Sequence, residues 1–283
     1  MDLNELFIKS INKSTPDSSV HTREEASENY HKRFSGIGRL IGKDPYLELK
    51  QTHVMIIGVG GVGSWAAESL VRSGIGKITL VDLDDICITN TNRQLPALEN
   101  NVGQEKVSVL KDRLLQINPE ACLETVVDFF TESTADEILS VSPDFIIDAI
   151  DGISHKCLLI SECLKRDISL IVCGAAGGRI DPTQIRVSDL MYSKKDKMLK
   201  SLRKKLKYTY NIDTTTESGV FAVYSEEFPT YPTSDGNVCA KPEIKTYGLD
   251  CKGGMGSASF VTGSFGFTAA SIVLKQISMK NKN

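Results

Sequence analysis

The apolar positions of this chain fall into short unbroken runs separated by stretches with helical spacing. Val54-Met55-Ile56-Ile57, Ile78-Thr79-Leu80-Val81, Phe145-Ile146-Ile147 and Leu170-Ile171-Val172 are continuous rather than alternating, the pattern of strands buried on both faces. Between the first two, Trp65 to Arg72 continues in helix formers until Ser73-Gly74-Ile75-Gly76 stops it. A second helix is predicted from Gly103-Gln104-Glu105-Lys106-Val107 to Ile117, ending at Asn118-Pro119. A strand is expected over 122–127, helices over 136–141 and 155–166, and strands over 144–151 and 169–173. This alternation predicts an α/β fold: a Rossmann-like, doubly wound, mostly parallel sheet covered on both faces.

The flanks read differently. Residues 1–28 are polar and broken by Thr15-Pro16-Asp17-Ser18-Ser19, so a disordered or loosely docked arm is expected. Beyond 190 the apolar residues Met198, Leu199, Leu202 and Leu206 recur at helical spacing inside a run where eight of the fourteen residues 194–207 are Lys or Arg. One face would pack and the other, with Lys200, Arg203 and Lys204, would form a cationic stripe: either a solvated face or a phosphate-backbone contact. A strand follows at 220–224, then a crossover or lid over 227–239. Residues 253–274 are glycine-rich and then apolar. Their glycines, serines and threonines favour a closely packed strand or helix over a membrane span.

Candidate chemistry clusters at the ends of the predicted strands. Gly58, Gly60 and Gly63 stand in G-x-G-x-x-G spacing between the first strand and the first helix, where a backbone can turn tightly and approach a phosphate; Gly61 lies inside the same turn. Asp82 ends the second strand, nineteen residues beyond Gly63, where a carboxylate can bind ribose hydroxyls. The next loop carries Asp84, Asn90, Asn92, Arg93 and Gln94, and Lys106 opens the following helix, so amides and two cations come within reach of a nucleotide's phosphates. Asp148 and Asp151 end a buried strand and face the right place for a Mg²⁺ bridging phosphates, although Asp151 could instead cap the next helix. Arg179 follows a small-residue loop and is a candidate for an acidic or nucleic-acid ligand. Arg33 and Arg39 lie in a basic segment that either reaches a nucleotide, in this subunit or a partner's, or is a solvated helix.

Composition narrows the classes. A hydrophobic share of 41% and a charged share of 24% are those of a soluble globular chain. The net charge of −3 supplies no global field for nucleic acid, so any such contact needs a local patch. Seven scattered cysteines with no C-x-x-C pair favour buried thiols in a reducing compartment and argue against structural zinc.

The motifs GVGGVG (58–63), VDLDD (81–85), TNTNRQ (89–94), VGQEKV (102–107), INPE (117–120) and DAID (148–151) resemble the adenylating superfamily of ubiquitin-activating enzymes and their bacterial, sulfur-carrier-activating relatives. RFSGIGRLIG (33–42), GGVGSWAAE (60–68), CGAAGGRIDPTQIRVSDL (173–190), YPTSDGNVCA (231–240) and FVTGSFGFTAA (260–270) resemble, within it, the branch that dehydrates threonylcarbamoyladenosine in tRNA. The resemblance implies a cytoplasmic, ATP-dependent enzyme in which a threonyl carboxylate becomes an acyl-adenylate and an atom of the same modification displaces AMP. It implies that Gly61 and its neighbours line the nucleotide, and that Asp82 binds ribose. Asn90, Asn92, Arg93 and Lys106 would contact adenylate or phosphates, Asp151 would hold Mg²⁺, and Arg39 would reach the other subunit of a homodimer. It divides the chain into an ATP-binding adenylation domain at 29–190 and a tRNA-binding and dimerisation region at 191–283. A monovalent cation and a sulfur-transfer partner belong to the same resemblance.

Two departures bear on mechanism. The carrier-activating relatives often carry paired C-x-x-C motifs, absent here, which weakens adenylation of a ubiquitin-like sulfur carrier as the alternative. Ala222 stands where some dehydratases have a cysteine, leaving Cys239 and Cys251 as the remaining candidates for a thiol intermediate. An NAD-dependent oxidoreductase would share the glycine spacing but gives the Asn90, Asn92, Arg93 and Lys106 group no role.

Overall fold

In a computed structural model, which describes residues 5–8, 26–241 and 255–280, the continuous apolar runs become the central strands of one seven-stranded sheet. Strands β1 (His53–Ile57), β2 (Lys77–Val81), β3 (Cys122–Val126), β4 (Phe145–Asp148), β5 (Ser169–Cys173), β6 (Ile185–Asp189) and β7 (Phe221–Ser225) are ordered β3-β2-β1-β4-β5-β7-β6. All neighbours are parallel except β6, which runs antiparallel to β7 at the edge. Every residue of β1 and β7 is buried, as expected of strands covered on both faces.

The chain winds from β1 outward through β2 and β3, then returns and winds the other way through β4 and β5. The crevice between the carboxyl ends of β1 and β4 is therefore the point where the winding reverses, the place where open α/β sheets bind ligands. Helices α1 (Glu28–Ile41), α2 (Lys43–Leu49), α3 (Gly63–Arg72), α4 (Lys106–Ile117), α5 (Ala135–Leu139), α6 (Ile153–Arg166), α7 (Lys197–Tyr210) and α8 (Ser259–Lys280) cover the sheet. One apolar cluster joins α3 and α8 to one face, and a second joins α6 and α7 to the other.

Two expectations change, and a third, the closely packed C-terminal segment, is met as a helix. The division at 190/191 is not a break in the structure, because β7 inserts between β5 and β6 of the main sheet. The C-terminal apolar segment is the helix α8, long and apolar enough to cross a membrane by length and composition, yet 61% of its apolar window is buried in the protein. Its small residues explain the packing: a Cβ on Gly266 would sit 2.5 Å from the Val62 carbonyl oxygen, so glycine lets α8 lie directly on α3. The N-terminal arm is anchored where it is described: residues 5–8 are helical, Leu6 and Phe7 are buried, and the Phe7 and Phe221 ring centroids lie 4.7 Å apart. The rest of the arm, 1–4 and 9–25, lies outside the described residues.

Strand β6 follows no continuous apolar run. Ile185-Arg186-Val187-Ser188-Asp189 alternates because an edge strand buries only one face.

Candidate nucleotide site

The glycine turn is a packing necessity. Gly58 has φ +87, and a Cβ on it would lie 2.8 Å from the Ala149 carbonyl oxygen. A Cβ on Gly63 would lie 1.9 Å from the Gly58 oxygen. The loop thus closes on itself and on the β4 turn, and α3 begins at Gly63 without a side-chain cap, its N-terminus open to an anion. Gly60 is fastened to α3 by Ser64 Oγ, which donates to its carbonyl (2.6 Å); Gly61 faces Arg93 and Thr262.

Asp82 stands beside this loop. Its Oδ2 accepts from the Val59 N–H (2.8 Å) and its Oδ1 from the Asp84 N–H (2.9 Å), which fixes the carboxylate and leaves lone pairs for hydroxyl donors. Burial pushes its pKa up, while the Lys106 charge and the two amides pull it down. Lys106 itself is buried and its ammonium is held by the half-exposed Asp84 at 2.7 Å.

The polar loop after β2 folds over the glycine turn. The Arg93 carbonyl accepts from Trp65 Nε1 of α3 (3.0 Å) and from Thr262 Oγ1 of α8 (3.3 Å). Arg93 Nη1 donates to the Thr89 carbonyl (2.8 Å) and to Asn92 Oδ1 (3.0 Å), which aims the guanidinium. Asn92 is spent on positioning, since its Nδ2 donates to the Ser257 carbonyl (2.7 Å). Asn90 is buried and its Oδ1 accepts from the Cys87 N–H (3.0 Å), holding the turn. Gln94 lies against Gly60, and its Oε1 is buried with no partner among the described residues. A buried carboxamide oxygen left unpaired is costly, and the atom Gln94 turns toward Gly60 is its amide nitrogen, Nε2. Trp65, Ser64 and Thr262 are positioning residues that sequence reading did not single out; a tryptophan and a threonine carry no signal of the carbonyl they will meet.

At the end of β4, Asp148 and Asp151 part company. Asp148 is fully buried and its Oδ1 accepts from Lys156 Nζ (2.9 Å) and the Ile150 N–H (3.0 Å), so it is no open metal ligand. Asp151 is exposed, and the helix it was a candidate to cap, α6, has Gly152 as its N-cap and no side-chain cap. Among the described residues no cluster of three His, Cys, Asp or Glu could hold a metal. One exposed carboxylate next to a phosphate loop fits Mg²⁺, which keeps waters and shares its coordination with phosphate oxygens.

Several candidates are not brought to this site. Arg179, read as a ligand contact, is buried: it pairs with Asp196 at 3.6 Å and donates to the Glu227 carbonyl (3.2 Å) and to the Ala175 carbonyl, so it clamps loops together. Burial lowers its pKa against the pull of Asp196. Arg203 is likewise spent, donating to the Leu190 carbonyl (3.1 Å) and to Ser193 Oγ. Lys200 and Lys204 are exposed on α7, away from the packed face of Leu199, Leu202 and Leu206. Arg39 is exposed in the last turn of α1, a helix fastened at the far end of α3 by the Tyr30 hydroxyl donating to the Gly74 carbonyl (2.6 Å). Cys239 is half-buried on a short strand, β8 (Val238–Cys239), and Cys251 lies outside the described residues.

The sequence profile of the ThiF family matches residues 35–283. The tRNA threonylcarbamoyladenosine dehydratase of Escherichia coli K12 is 43% identical over 258 residues, covering 90% of this chain and 96% of that protein. The E. coli dehydratase TcdA, solved in complex with ATP, superposes with a TM-score of 0.82 at 40% identity, covering 92% of this chain and 99% of that one. The molybdopterin-synthase adenylyltransferase of E. coli K12 is 33% identical, but over only 128 residues, 45% of this chain.

Proposed function

The chain belongs to the ThiF family, and from that premise we propose that it catalyses the ATP-dependent dehydration of threonylcarbamoyladenosine in tRNA, beside the anticodon. The observation that carries this reading is the gathering of Arg93, Gln94, Asp82 and Lys106 around one glycine turn, in a chain similar along nearly its whole length to a dehydratase solved with ATP. The threonyl carboxylate attacks the α-phosphorus of ATP, pyrophosphate leaves, and an atom of the same modification displaces AMP to close the ring. The net change is loss of one water from the nucleoside.

Each residue has a physical task. The glycine turn and the N-terminus of α3 hold phosphate, and Asp82 accepts from the ribose hydroxyls. Arg93 and Lys106 neutralise the charge that builds as two anions meet and pyrophosphate departs. Asp151 would hold Mg²⁺, which supplies further charge neutralisation at the phosphates when bound. The acceptor is already part of the substrate, so ring closure needs no enzyme nucleophile; we assign no covalent step to Cys239, whose thiol donates to the Lys241 carbonyl (2.7 Å). We place the reaction in the cytoplasm, in keeping with a tRNA substrate and cysteines without paired motifs. Carrier-protein adenylation is the weaker reading, because similarity to that class spans less than half of the chain.

The direct test is incubation with ATP, Mg²⁺ and threonylcarbamoyl-modified tRNA, followed by gentle digestion and mass analysis. A nucleoside lighter by one water, absent without ATP, is expected; an unchanged nucleoside from folded, ATP-binding protein refutes the assignment.

We further propose a homodimer in which Arg39, exposed in the last turn of α1, serves the partner's site. Arg39→Ala and Arg93→Ala should each be inactive alone. Refolded together in equal amounts, they should regain about a quarter of the wild-type rate, because half the dimers then carry one intact site of two. No recovery on mixing would place Arg39 in its own site or outside both.

A further inference from the structure

The loops that follow β5 and β7 leave the sheet at the same edge as the glycine turn and are stitched to each other. The Glu227 carboxylate accepts from the backbone N–H groups of Ile180 (3.1 Å) and Asp181 (2.9 Å). Thr230 N–H donates to the Gly178 carbonyl (2.8 Å), and Gly178 N–H to that of Gly256 (2.6 Å). Asn92 reaches the neighbouring Ser257 carbonyl, so this tied group of loops continues into the segment that carries Arg93.

Loops tied this firmly ordinarily turn their large apolar side chains inward. Here Phe228 is 70% exposed and Ile180 73% exposed, on the two segments that Glu227 joins. A single exposed apolar residue carries no message, but these two are held by one carboxylate on fixed backbone. They are also rimmed by cations. Lys195 Nζ lies 5.7 Å from the Phe228 ring centroid, Lys197 Nζ donates to the Tyr231 hydroxyl (2.9 Å), and Lys194 and Lys200 are exposed nearby in sequence. Asp196, the one acid within the basic run, is buried: its Oδ1 caps α7 and its Oδ2 accepts from the Ala175 N–H, so no exposed carboxylate of that run offsets the lysines.

An aromatic face bordered by ammonium groups, on rigid backbone, suits an unpaired nucleobase with its phosphates. Strand β7 lies three strands from β1, about 14 Å across the sheet, so one RNA loop can reach both the platform and the glycine turn. We propose that Phe228, with Ile180 beside it and Lys195 at its rim, stacks an unpaired base of the tRNA anticodon loop and so orients the modified adenosine toward Arg93. This rests on the dehydratase reading above.

The test is fluorescence anisotropy of a labelled anticodon stem-loop carrying threonylcarbamoyladenosine, titrated with the full chain at several salt concentrations. Phe228→Ala should weaken binding about five- to twentyfold, with an unchanged salt slope, and Phe228→Trp should restore it. Lys195→Gln should reduce the slope by about one phosphate contact. ATP affinity should stay at the wild-type value in all three. Unchanged stem-loop affinity in Phe228→Ala overturns the platform, and so does a change in its sedimentation mass, which would give this face to a second copy of the chain. Wild-type protein that ignores the stem-loop overturns the tRNA reading itself, a result distinct from either.

Discussion

Arg93→Ala is expected to slow adenylate formation about a thousandfold while ATP still binds, a loss of the size seen when one charge-stabilising group is removed from a phosphoryl- or acyl-transfer site. The reasoning starts from the backbone. The Arg93 carbonyl is held by Trp65 Nε1 and Thr262 Oγ1, contacts that survive removal of the side chain, so the loop should keep its shape. What is lost is the guanidinium, whose Nη1 is occupied by Thr89 and Asn92 while Nε and Nη2 make no such bonds among the described residues. Those donors are free to meet an oxygen whose charge grows in the transition state, so the effect should fall on the rate rather than on ATP affinity. Arg93→Lys should recover only part of the rate, because a point charge cannot form two parallel bonds to one phosphate. Single-turnover ATP–pyrophosphate exchange, with a separate nucleotide titration, measures both quantities. An exchange rate within tenfold of wild type would remove Arg93 from the chemistry.

Much of this arrangement is legible in the sequence, for a physical reason. A parallel sheet buried on both faces writes itself as continuous apolar runs, and β1, β2, β4 and β5 are found where those runs lie. The glycine turn is legible because Gly58 and Gly63 occupy positions where a Cβ has no room. The edge strand β6 is harder to see, since one buried face leaves only two alternating apolar positions, Ile185 and Val187. The arm shows the same limit: Leu6-Phe7-Ile8 is a short apolar run in a mostly polar segment, and only the folded sheet reveals that Phe7 has Phe221 to pack on.

Charge was the least transferable signal. Arg179, Arg203, Lys106 and Arg93 look alike in the sequence, yet the first two are spent inside the protein. The difference lies in acceptors distant in the chain: Asp196, Glu227 and Leu190 absorb Arg179 and Arg203, whereas among the described residues the Arg93 guanidinium meets a neighbouring carbonyl and amide. Asp196 carried a clue, as the single acid in a run of lysines and arginines; a lone acid at a helix start is there to cap it.

Lys156→Met should destabilise the protein more than any change at the surface, by about 3–5 kcal/mol, because it strands a buried carboxylate. Lys156 and Asp148 are both fully buried and pair at 2.9 Å, and the ammonium also donates to the Asp148 carbonyl (3.3 Å). Burial pushes the Asp148 pKa up and Lys156 pulls it back; without the lysine only the Ile150 N–H still opposes burial, and the pKa climbs further. A carboxyl whose folded pKa exceeds its unfolded value of about 3.9 favours the folded state fully only below that value, and the advantage is lost as pH rises through the folded pKa. The gap between variant and wild type should therefore be small near pH 4 and widen toward neutrality. At pH 7.5 the melting temperature should fall by about 6–20 °C, at roughly 2–4 °C per kcal/mol for a chain of this size. Adding Asp148→Asn removes the stranded charge yet keeps an acceptor for the Ile150 N–H, so the double variant should regain most of the loss and lose the pH dependence. Thermal melts of wild type, single and double variants across pH 4.5–7.5 decide it. A single variant that melts with wild type, or a gap that narrows as pH rises, would mean that the pair does not hold the β4 turn on which Asp151 stands.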